Sequence, residues 1–147
     1  MSAVTERLEY RDKVRDEWID YNGHLSEPFY VLVFGFATTN LMDVVGIDAD
    51  YRASTGCSLY TVEAHVRYLR EVGPEAELLV TTSVISVGGR KVRFCHDMVV
   101  DDVVVATEEL LALHVGAGST TPFPEHISER LGRWVSPAPD YAGRAIA

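Results

Sequence analysis

From Pro28 to Ile47 nearly every position is apolar, a run long enough to raise the question of a membrane span. Asn40, Asp43 and the Thr38–Thr39 pair answer it, because a lipid-exposed helix would have to desolvate them. The pattern predicts instead a helix buried inside the protein, opened by Ser26 or Glu27 with Pro28 in its first turn and stopped at Gly46. A helix that is apolar nearly all round has to be wrapped by something. Downstream, Ser58–Leu69, Glu77–Val87, Lys91–Val100 and Val103–Val115 are rich in Val, Thr, Tyr and Leu and read as four strands. Their links E-V-G-P, V-G-G-R and D-D are short, the last two hairpin-like, which predicts an antiparallel meander. With Leu8–Arg15 as a first strand, the reading is α+β: a curved antiparallel sheet around one long central helix.

Within the second strand, Tyr60, Val62, Ala64, Val66 and Tyr68 alternate with Thr61, Glu63, His65 and Arg67. The apolar row is expected to meet the helix. The other row is unusual for a solvent face, since it gathers an acid, a histidine and an arginine at two-residue spacing. After Gly116 comes a Gly- and Pro-containing stretch, then Ile127, Leu131 and Trp134 at helical spacing, which predicts a short docked helix followed by a loose tail. One domain over 1–147 is expected, its core at about 8–116 and the short helix and tail at 117–147.

Composition narrows the partners. A formal net charge of −9 argues against nucleic acid, which needs clustered Lys and Arg. Arg90, Lys91 and Arg93, just after Gly88–Gly89, and the Arg67/Arg70 pair are basic spots on this acidic body. They suit either contacts to a ligand phosphate or solvated strand ends. Cys57 and Cys95 form no C-x-x-C pair, so buried reduced thiols are expected rather than a disulfide or zinc site. Ten opening residues without an apolar stretch point to the cytoplasm. The histidines at 24, 65, 96, 114 and 126 show no H-x-x-x-H or H-E-x-x-H spacing, and no Gly-rich phosphate loop is present, so no metal is expected.

The chemistry concentrates in W-I-D-Y-N-G-H-L-S-E-P-F-Y, residues 18–30. Asp20 lies in a Gly-containing turn just before the long helix, where unpaired backbone N–H groups can stabilise an oxyanion beside the acid. An Asx-turn or capping role is the alternative for such an acid. Asn22 could orient water or supply turn geometry; His24 could position the turn, bond Asp20 or touch substrate. Glu63 and His65 share one side of a strand, suited to a cross-strand ion pair or to a ligand.

A strand ending in D-x-x-G-H, a long helix a few residues later and then a β-meander resemble the hot-dog-fold acyl-CoA thioesterases of the hydroxybenzoyl-CoA thioesterase type. The likeness covers about Leu8 to Val115. More narrowly, W-I-D-Y-N-G-H-L, V-F-G-F-A-T, Y-T-V-E-A-H-V-R and A-T-E-E-L-L-A-L-H-V resemble the betainyl-CoA thioesterases of bacterial carnitine catabolism, which release glycine betaine and coenzyme A. The resemblance implies that Asp20 is the catalytic acid, as general base or nucleophile, and that the backbone donor to the thioester carbonyl falls near Glu27. Many relatives carry G-H-V-N-N where this chain has G-H-L-S-E, which leaves the acyl pocket open.

A trimethylammonium head has no N–H to donate, so its pocket should offer aromatic faces and a carboxylate. Trp18, Tyr21, Phe29, Tyr30 and Tyr60 are candidate faces, each of which could equally be core, and Glu63 is the candidate charge; Trp18 and Glu63 lead. The expected partner is therefore a small acyl-CoA, with coenzyme A part of the substrate and no separate cofactor. The resemblance also implies a homodimer or homotetramer with sites between subunits. A thioesterase of other acyl specificity, a hot-dog dehydratase and a non-catalytic acyl-CoA binder are the rivals.

Overall fold

The computed structural model describes residues 6–146, so residues 1–5 and 147 of the expected domain, and half of the opening segment read for a leader, lie outside it. The chain runs β1 (Leu8–Lys13), a single 3-10 turn (Asp16–Trp18), α1 (Glu27–Val45), α2 (Ala49–Thr55) and β2 (Cys57–Tyr68). It continues through β3 (Glu77–Val87), β4 (Lys91–Val100), β5 (Val103–Gly116), β6 (Ser119–Thr120) and α3 (Glu125–Gly132).

α1 begins and ends where its local signals lie. Pro28 occupies the first turn, and Gly46 takes the left-handed conformation at φ 97°, its N–H closing onto Asp43 and Met42 carbonyls. The helix is long and apolar enough to cross a bilayer, yet Val33, Phe34, Leu41 and Val45 are sealed from solvent. Two adjoining clusters pack beneath it: Leu41, Phe94, Ile127 and Leu131 toward its C-terminal half, and Trp18, Phe34, Val80 and Met98 toward its start.

The sheet has the order β1-β3-β4-β5-β2, with every pair antiparallel. β3, β4 and β5 form the expected meander, and Asp101 and Asp102 turn the last hairpin at φ 50° and 64°. β2 departs from it, pairing with β5 rather than β3. The E-V-G-P link is therefore a crossing from one sheet edge toward the other. It is held by the entry to α1: Leu25 N–H donates to Val72 O and Val14 N–H to Ala76 O, at 2.8 and 2.9 Å.

The expected two-faced alternation of β2 holds from Glu63 onward and is reversed before it, because a bulge between Thr61 and Glu63 inserts one residue. Leu59 and Thr61 oppose His114 and Ala112, inner-face residues of β5, whereas Tyr60 opposes the outer-face Leu113. Beyond the bulge Ala64, Val66 and Tyr68 turn inward and Glu63 and His65 outward. Tyr60 and Val62 thus leave the row expected to meet α1; as an edge strand, β2 exposes 56% and 54% of them.

α2 was not anticipated, although Asp48 caps it through Tyr51 N–H and Gly56 closes it. α3 buries Ile127 and Leu131, but Trp134 lies beyond it, in a segment clipped to β3 through Val84 and Ser136. The tail is not loose. Tyr141 donates to Asp97 at 2.6 Å, the Arg67 guanidinium sits over its ring, and Gly143 N–H reaches Glu109. Both cysteines are free; Cys95 is buried, as expected, whereas Cys57 is only half-buried.

Candidate active site

The Asp20 turn is fixed at both ends. Ile19 and Leu25 form a bridge, Asp20 N–H donates to His24 O, and Gly23, at φ 78°, donates to Asp20 O. Ser26 N–H then returns to Trp18 O at 2.9 Å. The carboxylate accepts Asn22 N–H through Oδ1 at 2.8 Å, so Asp20 does make the Asx-turn that its position allows. Oδ2 has no partner among the described residues. Asn22 therefore supplies geometry to the turn through its backbone, and its side chain projects from an exposed position. His24 Nε2 lies 3.2 Å from Glu71 Oε2, tying the turn to the β2–β3 link.

α1 starts immediately beyond. Ser26 makes no side-chain cap, Pro28 has no N–H, and Phe29 N–H is taken by Ser26 O. Glu27 N–H is consequently the unpaired donor of the first turn among the described residues, at the positive end of the helix. Beside it opens a cleft of about 410 Å³ lined by Leu25, Glu27, Tyr30, Tyr68, Arg70 and Glu71. Tyr30 donates to Arg70 O at 3.1 Å, and burial, Glu71, Tyr68 and Asp20 in that order raise its phenol above the usual value. Tyr30 thus lies within the electrostatic reach of Asp20.

The other predicted residues divide. Trp18 is 3% exposed, stacked on Phe29 with the Arg15 guanidinium over its ring, so it braces the turn and offers no open face. Tyr21 is fully out in solvent. Tyr60, Glu63 and His65 lie on the outer face of the sheet, away from α1. There Glu63 and His65 line a depression of about 250 Å³ with Arg93, Glu109 and Arg144. Arg93 is bound to Glu109 at 2.6 Å and Arg90 donates to Thr120 O. Arg90 and Lys91 stand at the Cys57–Gly116 end of the sheet, opposite the Tyr68–Ala106 end where the cleft lies. Within one chain, then, Asp20, Asn22 and His24 share a turn braced by Trp18, with Glu27 and Tyr30 just beyond it, whereas Tyr60, Glu63, His65, Arg90, Lys91 and Arg93 do not join them.

Residues 14–131 match the family model described as the thioesterase-like superfamily. The chain belongs to the thioesterase-like superfamily. A bifunctional L-carnitine dehydrogenase/betainyl-CoA thioesterase of Agrobacterium fabrum is 40% identical over 140 residues, 90% of this chain but only 29% of that protein. The chain thus spans under a third of the length of this curated relative. The betainyl-CoA thioesterase of Pseudomonas aeruginosa is 33% identical, covering 93% of this chain and 92% of its own. A solved structure from Pseudomonas putida KT2440 superposes with a TM-score of 0.86 at 38% identity, covering 97% of each chain. The curled antiparallel sheet around α1 is the hot-dog fold of this superfamily.

This thioesterase-like domain also buries polar groups that the motif reading passed over. His96 is sealed between α1 and the sheet, its ring nitrogens 2.8 Å from Thr38 Oγ1 and 2.7 Å from Thr82 Oγ1. Glu108, its cross-strand neighbour, is buried on the same inner face. The signal for it was present: Ala106, Glu108, Leu110, Ala112 and His114 share one phase of β5, so an acid stands in an apolar row. Among the described residues no group of His, Cys, Asp or Glu is arranged to hold a metal ion.

Burial lowers His96 from 6.5 to about 3 and raises Glu108 from 4.5 to about 7. As pH falls from 6.5, the unfolded chain protonates at His96 while the native chain does not, which removes stability. From 7 down to 4.5 the native chain protonates first at Glu108, which restores it, so the two nearly cancel between 6.5 and 4.5. Below 4.5 the Glu108 effect is spent and His96 contributes about 1.4 kcal/mol per pH unit. Glu109 acts in the same direction: against the upward push of burial, Arg93 and the Gly143 N–H hold its carboxyl below its usual value. Urea titrations from pH 6 to 3.5 should therefore show an acid limb that His96→Gln flattens; an unchanged slope in the variant would contradict this assignment.

Proposed function

We propose that the chain hydrolyses short acyl-CoA thioesters, betainyl-CoA foremost, to glycine betaine and coenzyme A. The observation that carries the reading is that the Asp20 turn leads directly into the unpaired Glu27 N–H at the start of α1, beside the cleft that Glu27 and Tyr30 line. A thioester carbonyl entering there would direct its developing negative charge at the positive end of α1. Asp20 would take a proton from the attacking water, and the tetrahedral adduct would expel the thiolate, which recovers that proton. The alternative route has Asp20 attack the carbonyl and water cleave the resulting anhydride; single turnover in heavy-oxygen water labels Asp20 only in that case. His24, held by Glu71, would position the turn. The acyl class is supported by the Agrobacterium and Pseudomonas relatives, both named as betainyl-CoA thioesterases.

The test is thiol release from purified protein given betainyl-CoA and neutral acyl-CoAs. Release from none, with retained binding, would replace the enzyme reading by that of an acyl-CoA binder. Coenzyme A enters as substrate, and the reaction uses no further cofactor. The free thiols fit a reducing cytoplasm.

The same reading takes the active form to be a homodimer or a larger assembly of dimers. Support comes from the unpaired β2 edge, with Tyr60 and Val62 exposed, and from Val31 and Leu32 bare on α1. Two β2 edges paired about a two-fold axis would bring the Gly88–Gly89 end of one copy beside the Asp20 end of the other, offering Arg90 and Lys91 to coenzyme A phosphates. Arg93 is already neutralised by Glu109. Val62→Lys should shift sedimentation from a multiple of 16.3 kDa to a single chain and lower turnover; an unshifted assembly would remove β2 as the contact.

A further inference from the structure

Glu108 stands on the face of β5 that meets α1 and is 3% exposed. A carboxylate so far from water is strongly disfavoured unless it is paired or hydrogen-bonded. Its neighbour Glu109 has Arg93 and the Gly143 N–H. Glu108 has neither an ion pair nor a hydrogen bond among the described residues. Its cross-strand neighbours do not supply one: Val66 is apolar, and His96 has both ring nitrogens engaged by Thr38 and Thr82 and is kept neutral by burial. Nor are its oxygens closed off, since Ser136 Oγ alone among the described side-chain atoms is sealed without a partner.

Tyr68 connects this acid to the cleft. It lines the cleft with Tyr30, meets the Tyr30 ring edge-on at 5.2 Å, and its hydroxyl feels the charges of both Glu27 and Glu108. Tyr68 pairs with Ala106 and Val66 with Glu108, so Glu108 is the diagonal inner-face neighbour of a ring that lines the cleft, behind the Tyr30–Tyr68 pair and with no partner of its own among the described residues. Glu63, the charge that the motif reading favoured, lies on the outer face, where solvent and salt screen it.

We infer that Glu108 recognises a cationic acyl head, which lies between the rings of Tyr30 and Tyr68 and the Glu108 carboxylate. This deepens, and rests on, the betainyl-CoA reading above. A trimethylammonium group suits the position because it needs no hydrogen-bond acceptor, is weakly hydrated and is drawn to aromatic faces. The low polarity around Glu108 strengthens its attraction to a full positive charge. Beside a neutral chain of the same shape Glu108 takes up a proton and gains no such attraction, so selectivity comes from the charge attraction that only the cationic head receives.

The experiment compares kcat/KM for betainyl-CoA with that for its carbon isostere, 3,3-dimethylbutanoyl-CoA, in the full chain and in Glu108→Gln and Glu108→Asp. The parent should prefer the cationic substrate at least tenfold. Glu108→Gln should lose tenfold or more of that ratio, and Glu108→Asp, with its charge drawn back by one methylene, should fall between. Melting curves accompany the rates: Glu108→Gln should melt no lower than the parent, since it removes a buried charge, whereas a purely structural acid would leave a less stable variant with its ratio intact. A parent that prefers betainyl-CoA while Glu108→Gln keeps the same ratio overturns the role of Glu108 and leaves the substrate reading standing. A parent that releases thiol only from neutral chains overturns both. If Glu108→Gln does not fold, a ratio in Glu108→Asp equal to the parent's overturns the inference equally.

Discussion

Asp20→Asn should lower kcat on the preferred acyl-CoA by roughly 10²- to 10⁴-fold, the range for removing a positioned base. The expectation is sharp because the structural role of Asp20 survives the change. Its Oδ1 accepts Asn22 N–H at 2.8 Å, and an asparagine carbonyl oxygen can accept the same bond. The turn is otherwise held by backbone bonds from Asp20, Gly23 and Ser26 that no side chain enters. The variant should therefore fold, melt within a degree or two of the parent and keep its affinity for coenzyme A while losing turnover. Full-speed thiol release by Asp20→Asn would remove the acid from the reaction, and the cleft would need another base. A folded variant that binds substrate without cleaving it would also give the complex needed to trace the acyl group to Glu108.

Phe94→Ala should cost about 3–5 kcal/mol of folding stability, read from urea unfolding with the denaturant slope unchanged. Phe94 is fully sealed on the inner face of β4 and shares a cluster with Leu41 on α1 and with Ile127 and Leu131 on α3. Its ring also meets His96 edge-on at 5.3 Å. Two helices, each anchored elsewhere, cannot both collapse into the space it would leave, so the cavity term should persist. For a domain of typical stability, roughly 5–15 kcal/mol, that is a large share. A loss below about 1 kcal/mol would mean that α3 closes onto the sheet and that its docking is loose.

Both outcomes touch features that the amino-acid order alone made visible. The span of α1, its stop at Gly46, the strand runs and the acid-bearing turn could be read because they depend on signals within a few residues: helical period, a proline in the first turn, a left-handed glycine, a short hairpin. Which face a strand residue takes, and what covers it, is decided at long range. β2 sits beside β5 because the Leu69–Ala76 segment crosses the molecule, and one extra residue at the bulge turns Tyr60 outward and Tyr68 inward on the same strand. Simple alternation already sets Glu63 and His65 on the face away from α1, and only packing brings Tyr68 to rest beside Tyr30. Glu108 shows the division most clearly. Its place in the apolar phase of β5 was written in the chain, but only the packed sheet, with α1 across one face, makes it a buried acid without a partner among the described residues.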